Sequence, residues 1–101
     1  MKLTRIDASH PLFEASFTLY EASFPPNERR MREDHLRALQ DADFSPLGAV
    51  EDGMLLADVF LWETEDFCYL EHFAVQPSLR GHGTGSTILR QLLTQDKPLI
   101  L

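Results

Sequence analysis

The chain has 101 residues, 44% of them apolar and 25% charged, with nine Lys and Arg against sixteen Asp and Glu for a net charge of −7. That length holds one domain, residues 1–101, and excludes two, while the apolar content excludes a disordered or low-complexity chain. The acidic balance argues against a nucleic-acid binder, which needs Lys and Arg to neutralise phosphate, and favours cationic or amine partners.

Lys2–Asp7 reads as a short strand, and Ser9 has the side chain to cap the helix that follows. Leu12, Phe13, Phe17, Tyr20 and Phe24 recur at helical spacing until Pro25-Pro26 stops the helix. Asn27 is the expected cap of a second helix. In it Met31, His35, Leu36 and Leu39 share a stripe, while Glu28, Arg29, Arg30, Arg32, Glu33 and Asp34 are expected in solvent. Gln40–Ser45 reads as polar loop. The period then changes: Leu47–Glu51 and Met54–Trp62 flank Asp52-Gly53, a hairpin signal, and Phe67–Val75 follows as a third strand of an antiparallel meander.

QPSLRGHGTGS comes next, too rich in glycine for either period. A helix with an Ile88, Leu89, Leu92, Leu93 stripe runs on to about Gln95, and Leu99–Leu101 begins another strand. A strand–loop–helix–strand unit of this kind lays its two strands parallel. Cys68 is the only cysteine, so no internal disulfide or thiolate zinc cluster is expected, and no metal. No apolar run approaches the ~18–20 residues of a membrane span, and the N-terminus lacks a signal-peptide pattern. A soluble, cytoplasmic protein without a membrane partner is the expectation.

The segment Arg80-Gly81-His82-Gly83-Thr84-Gly85 lies where a strand ends and a helix begins. The first N–H groups of a helix have no intrahelical partners, the macrodipole places partial positive charge there, and glycine admits an anion close to the backbone. A phosphate or pyrophosphate suits such a place, with Arg80 adding charge and Thr84 and Ser86 adding hydroxyls. A P-loop would need a lysine where Gly85-Ser86-Thr87 has none, and a dinucleotide fingerprint would need Gly-x-Gly-x-x-Gly, whereas these glycines alternate. On spacing alone a bare helix entry stays open.

With its flanks, Val75-Gln76-Pro77-Ser78-Leu79-Arg80-Gly81-His82-Gly83-Thr84-Gly85 resembles motif A of the GNAT N-acetyltransferase superfamily, whose pattern continues to about residue 93. The resemblance covers essentially the whole chain. It implies an α+β, three-layer acyl-CoA N-acyltransferase fold, a mixed and mostly antiparallel sheet flanked by helices. It also implies acetyl-CoA as co-substrate, with the pyrophosphate held by Arg80, Gly81, His82, Gly83, Thr84, Gly85 and Ser86. The main chain of Phe73, Ala74 and Val75 would pair with the pantetheine arm, at an edge the family leaves open by splaying its fourth and fifth strands. Family members continue past this length with a helix that often supplies a thiolate-protonating Tyr, so a C-terminally truncated domain is the expectation.

Glu71 is the leading candidate for a catalytic carboxylate acting as base. Strict alternation puts it in a row with Phe67, Tyr69, Phe73 and Val75, where desolvation should raise its pKa; a substrate-orienting or solvent-facing Glu is the competing reading. The same alternation points His72 the opposite way, as a packed residue, and gives Cys68 the face of His72, as a small core residue. His82 is within reach of phosphate. Phe24 and Glu28 are candidates for the acceptor site, because the loop between the first two helices borders it in this superfamily; a helix stop followed by a solvated helix start is the alternative. Acetyl transfer to a small-molecule or peptide amine by direct attack is the expected activity, with a non-catalytic CoA-binding or interaction module as the alternative. A homodimer is possible through the exposed Leu99–Leu101 edge.

Overall fold

The computed structural model describes residues 1–101. Its elements follow in the order β1 (Lys2–Arg5), α1 (Phe13–Ser23), α2 (Arg32–Ala38), β2 (Phe44–Glu51), β3 (Met54–Glu63), β4 (Cys68–Val75), α3 (Thr84–Leu93) and β5 (Leu99–Ile100), with 3-10 turns at Pro26–Glu28 and Pro77–Leu79. The strands form one sheet in sequence order. β1 to β4 are antiparallel neighbours, and β5 joins β4 in parallel after the α3 crossover, as the strand–loop–helix–strand pattern predicts.

Side-chain alternation sends the two faces of this sheet to different helices. Ala49, Ala57, Val59, Leu61, Cys68 and Leu70 meet Ile88 and Leu92 of α3. On the opposite face Phe13, Phe17, Leu19 and Tyr20 of α1 pack on Phe44, Leu55, Phe60 and Ala74. The result is the mixed, three-layer α+β arrangement expected from the sequence.

At Asp52 and Gly53 both φ values are positive, 52° and 76°, the backbone of a two-residue hairpin turn whose twist matches the strands. β2 begins at Phe44, inside the segment that reads as loop. Ile6 N–H donates to Pro46 C=O at 2.8 Å as β1 runs out, so the N–H that Pro46 lacks falls where the ladder has ended.

Neither expected helix cap is used. Ser9 donates from its N–H and its hydroxyl to Asp7 Oδ1, at 3.2 and 2.9 Å, and the entry to α1 is closed by Leu12 N–H on His10 Nδ1 at 3.0 Å. Asn27 lies within the 3-10 turn, and α2 starts at Arg32 without a side-chain cap. Met31 is exposed rather than part of the apolar stripe, which His35 carries inward.

Gly48 of β2 shows how closely the first layer sits. A Cβ there would fall inside van der Waals contact with Ile6 Cδ1 and 2.7 Å from Leu55 Cδ1, both on buried side chains. Gly48→Ala should therefore lower the unfolding free energy by about 1–3 kcal/mol through overpacking, read from urea denaturation midpoints. An unchanged midpoint would mean that Ile6 and Leu55 move aside freely.

Candidate active site

β4 is paired along β3, but on its other side β5 reaches only Cys68 and Tyr69. From Leu70 to Val75 that outer edge faces no strand of the chain. Gln76 N–H donates to Leu56 C=O at 2.9 Å, which sets the alternation of the ladder. His72 and Ala74 direct their main-chain groups at β3, and Phe73 and Val75 direct theirs outward.

The β3–β4 register shifts between Phe60, opposite His72, and Leu61, opposite Leu70, so Glu71 is the extra residue of a β-bulge. Before the bulge, Cys68 and Leu70 pack beneath α3. After it, His72 lies on the other face, edge-on to Tyr20 at 4.9 Å and Phe24 at 4.7 Å. Strict alternation therefore fails here: Glu71 and His72 are companions, with Glu71 Oε1 3.3 Å from His72 Nδ1, and Cys68 faces away from both. Burial pushes the Cys68 thiol up to about 11, and Sγ donates to Glu63 Oε1 at 3.2 Å, an inert core arrangement.

Phe24, Glu28, Tyr69, Glu71 and His72 line a cleft of about 410 Å³. Burial does push the Glu71 pKa upward, but hydrogen bonds from His72, Arg30 and Trp62 outweigh it and hold the carboxyl at about 2. The expected rise is thus reversed, because donors surround a carboxylate that strict alternation places among apolar rings. Arg30 Nη1 donates at 2.6 Å and Trp62 Nε1 at 3.1 Å, both to Oε1. His72 Nδ1 approaches the same oxygen off the line of a well-aligned bond, while its Nε2 donates to the Glu28 carbonyl at 2.8 Å.

Arg30 itself departs from expectation. Its guanidinium lies 4.9 Å from the Phe44 ring centroid and 5.7 Å from that of Tyr20, and its backbone N–H donates to the Tyr20 hydroxyl at 2.6 Å. No helix carries it, since α2 begins two residues later, and the extended chain between Arg29 and Met31 turns it inward.

At the far end of β4 a second cleft, of about 370 Å³, is lined by Val75, Leu79, Arg80, Gly81, Gly83, Thr84, Gly85 and Ser86. Gly81 and Gly83 have φ of 83° and 81°, which favours glycine, and a Cβ at either would stand in open space. The first α3 bond runs from Thr87 N–H to Gly83 C=O. No group of the chain accepts from the amides of Gly81, Gly83, Thr84, Gly85 or Ser86, so five N–H donors converge where the helix dipole is positive. Arg80 Nε donates to Val75 C=O at 3.2 Å, which tethers the guanidinium beside them. His82 instead lines a smaller cleft of about 190 Å³ with Met1, Glu51, Leu56 and Thr87.

One family model, the acetyltransferase (GNAT) family, matches residues 10–97. The chain belongs to the GNAT acetyltransferase family. Among solved structures it is similar to a protein described as a GNAT-family acetyltransferase from Bacteroides thetaiotaomicron, with TM-score 0.89 and 26% identity over 98% of this chain and 58% of that one. The chain thus spans little more than half the length of that relative. The GNAT fold is shared with an aminoglycoside 6′-N-acetyltransferase complexed with coenzyme A, at TM-score 0.70 and 14% identity over 93% of this chain and 54% of that one. It is shared too with the ribosomal-protein-S18-alanine N-acetyltransferase of Escherichia coli, at 0.68 and 17% over 92% and 57%. No curated protein matches the sequence.

Within this GNAT domain no helix is long and apolar enough to cross a membrane, and no group of three or more His, Cys, Asp or Glu is placed to hold a metal ion. Sequence reasoning missed Arg30 and Trp62 as neighbours of Glu71, whereas Tyr69 stands in the row expected for it. Arg30 sits in a charged run that reads as a solvated helix face. Trp62 reads as the end of a strand, and no local signal marks either as a partner of residue 71.

Proposed function

We propose that residues 1–101 act as one unit that binds acetyl-CoA along the outer edge of β4 and transfers its acetyl group to an amine held in the 410 Å³ cleft. One arrangement carries this reading: five unpaired amides at one end of an open strand edge, and an acidic, aromatic cleft at the other. A strand rises about 3.3 Å per residue, so Val75 and Glu71 stand about 13 Å apart, a separation suited to an extended arm. When bound, acetyl-CoA supplies a thioester, and the net reaction turns an ammonium and a thioester into an amide, a thiol and one free proton.

The residues of the chain divide that work. Backbone N–H groups of Gly81, Gly83, Thr84, Gly85 and Ser86, with Arg80, hold the pyrophosphate, and His82 borders it from the neighbouring cleft. Outward N–H groups of Phe73 and Val75 orient the arm and polarise the acyl carbonyl, with Ala74 keeping the segment in register on β3. Phe24 and Glu28 bound the acceptor together with Tyr69, and Glu71 is the catalytic carboxylate that meets the amine. The relatives named above act on aminoglycosides and on a ribosomal-protein alanine by their descriptions, and the acceptor here belongs to the same broad class of amines.

Titration of acetyl-CoA into the chain by calorimetry tests the reading, with Gly83→Asp beside it. Binding in the micromolar range is expected, weakened about 100-fold by the substitution, because a carboxylate replaces open space in front of the donors and the left-handed backbone disfavours a side chain. Equal binding by both proteins would overturn the cradle. CoA binding without transfer is the second reading, favoured by the weak basicity of a Glu71 carboxylate held at about 2; release of free thiol on adding an amine separates the two.

A further inference from the structure

The polar groups around Glu71 converge on one of its two oxygens, with Arg30 and Trp62 as its hydrogen-bond donors. Arg30 Nη1, Trp62 Nε1 and His72 Nδ1 face Oε1, whereas Oε2 accepts from no group of the chain and is not among the buried atoms. Glu71 lines the acceptor cleft, so Oε2 is its accessible oxygen there. The other faces of that oxygen are set by Tyr69 and His72 of β4, Phe24 at the end of α1, and Glu28 of the 3-10 turn. Trp62 and Arg30 close the rear, on the side of Tyr20 and Phe44. Among these groups Arg30 is the cation in direct contact with Glu71, and its guanidinium is fixed by packing on two rings.

We propose that Arg30 is a positioning residue for the acceptor: it clamps Oε1 of Glu71 so that Oε2 is presented to the cleft as an ammonium-binding oxygen, and the acceptor enters as a cation that gives its proton to water rather than to Glu71. This rests on the cleft being the amine site of the transfer described above. A carboxylate whose conjugate acid is as strong as this one makes a poor proton acceptor and a good electrostatic anchor. His72 offers no alternative, since Nε2 carries its proton to the Glu28 carbonyl and Nδ1 is buried against Glu71. Proton balance is then simple: the ammonium loses one proton to water, the neutral nitrogen forms the new C–N bond as the C–S bond breaks, the thiolate takes up a proton, and the amide nitrogen releases another. Phe24 and Tyr69 add ring faces that a cation prefers to an uncharged amine.

The test uses the full chain without acetyl-CoA, so a failed cradle and a failed clamp are told apart. The carboxyl carbon of Glu71 is followed by NMR through a pH titration in the unsubstituted protein, Arg30→Met and Arg30→Lys, with amide spectra confirming the fold. Benzylamine, wholly ammonium at pH 6, is the cationic probe, and benzyl alcohol its uncharged counterpart. The unsubstituted protein should show no Glu71 transition between pH 4 and pH 8 and should prefer benzylammonium at least tenfold. Arg30→Met should move the Glu71 midpoint up by at least two pH units, and Arg30→Lys should restore most of the shift with a single point charge. Glu71→Gln should abolish the preference for the cation. Should Arg30→Met fail to fold, Arg30→Lys decides, because one ammonium cannot reproduce the ring-packed guanidinium and the midpoint must still rise measurably. A Glu71 midpoint between 4 and 8 in the unsubstituted protein overturns the proposal, and one above 5 makes Glu71 a base. So does a midpoint unmoved by both Arg30 substitutions, or equal affinity for the two probes.

Discussion

Asp58→Asn is expected to flatten the alkaline limb of the stability curve and to stabilise the protein at pH 8. Asp58 lies in β3 opposite Gly48 and Ala74, fully buried, with Oδ1 accepting from the Ser16 hydroxyl at 2.6 Å and Oδ2 without a partner. Burial raises its pKa from 3.8 to about 8, and the Ser16 bond only partly opposes the rise. The folded state therefore keeps a proton on Asp58 that the unfolded chain releases above pH 3.8, so folding weakens as pH rises from that value to about 8. Each pH unit in the window costs about 1.4 kcal/mol, and the accumulated loss at pH 7 is on the order of 4 kcal/mol.

Asparagine keeps an oxygen for Ser16 and cannot ionise, but its amide brings one more unpartnered donor, at a cost of about 1–3 kcal/mol. The variant should thus be somewhat less stable than the parent near pH 4 and more stable by about 1–3 kcal/mol at pH 7–8, with its curve flat between pH 6.5 and 8. Urea denaturation at pH 4.5, 6.5 and 8 measures this. Parallel curves for the two proteins would mean that Asp58 reaches water and ionises in the folded state.

Much of the fold is legible because its signals are local. The Asp52-Gly53 turn, the apolar runs around it and the glycine loop each carry their own backbone requirement, and the parallel return of β5 follows from the order of the elements. What escapes is decided at a distance. The bulge at Glu71 depends on how β4 seats against Phe60 and Leu61 of β3, and no residue in FCYLEHFAV announces it. One inserted residue turns every later side chain over, so the face assigned to Glu71, His72 and Cys68 fails together. Arg30 is hidden for a related reason: its neighbours Tyr20, Phe44 and Glu71 come from three other elements, and a run of charges gives no hint of two waiting rings.

His35, whose place on the apolar stripe of α2 is legible in the sequence, supplies the second large effect. Its ring is almost wholly buried between Phe13, Phe17, Tyr20, Phe44 and Phe60, at centroid distances of 5.1 to 6.1 Å, with Nδ1 unpartnered. Burial lowers its pKa from 6.5 to about 4, helped by the nearby Arg30 charge. Here the unfolded chain binds the extra proton, so stability is complete above pH 6.5 and is lost as pH falls towards 4, by about 3 kcal/mol at pH 4. Between pH 4 and 6.5 this loss runs against the gain from Asp58, one proton each way, and the parent protein should show a plateau there. His35→Phe removes the acid limb and exposes the Asp58 slope, so stability should climb steadily from pH 8 down to about 4.5. Below that, Glu71 begins to cost stability, because the unfolded chain takes up a proton near 4.5 that the folded carboxylate, held at about 2, does not. Asp58→Asn exposes the opposite slope, falling from pH 6.5 to 4, and the double variant should be flat across both windows. Four urea curves, each at five pH values, close the cycle. A plateau that survives in either single variant would mean that the two buried groups are not the source of the pH dependence. A double variant that departs from the sum of the singles would measure a coupling between them across the aromatic layer.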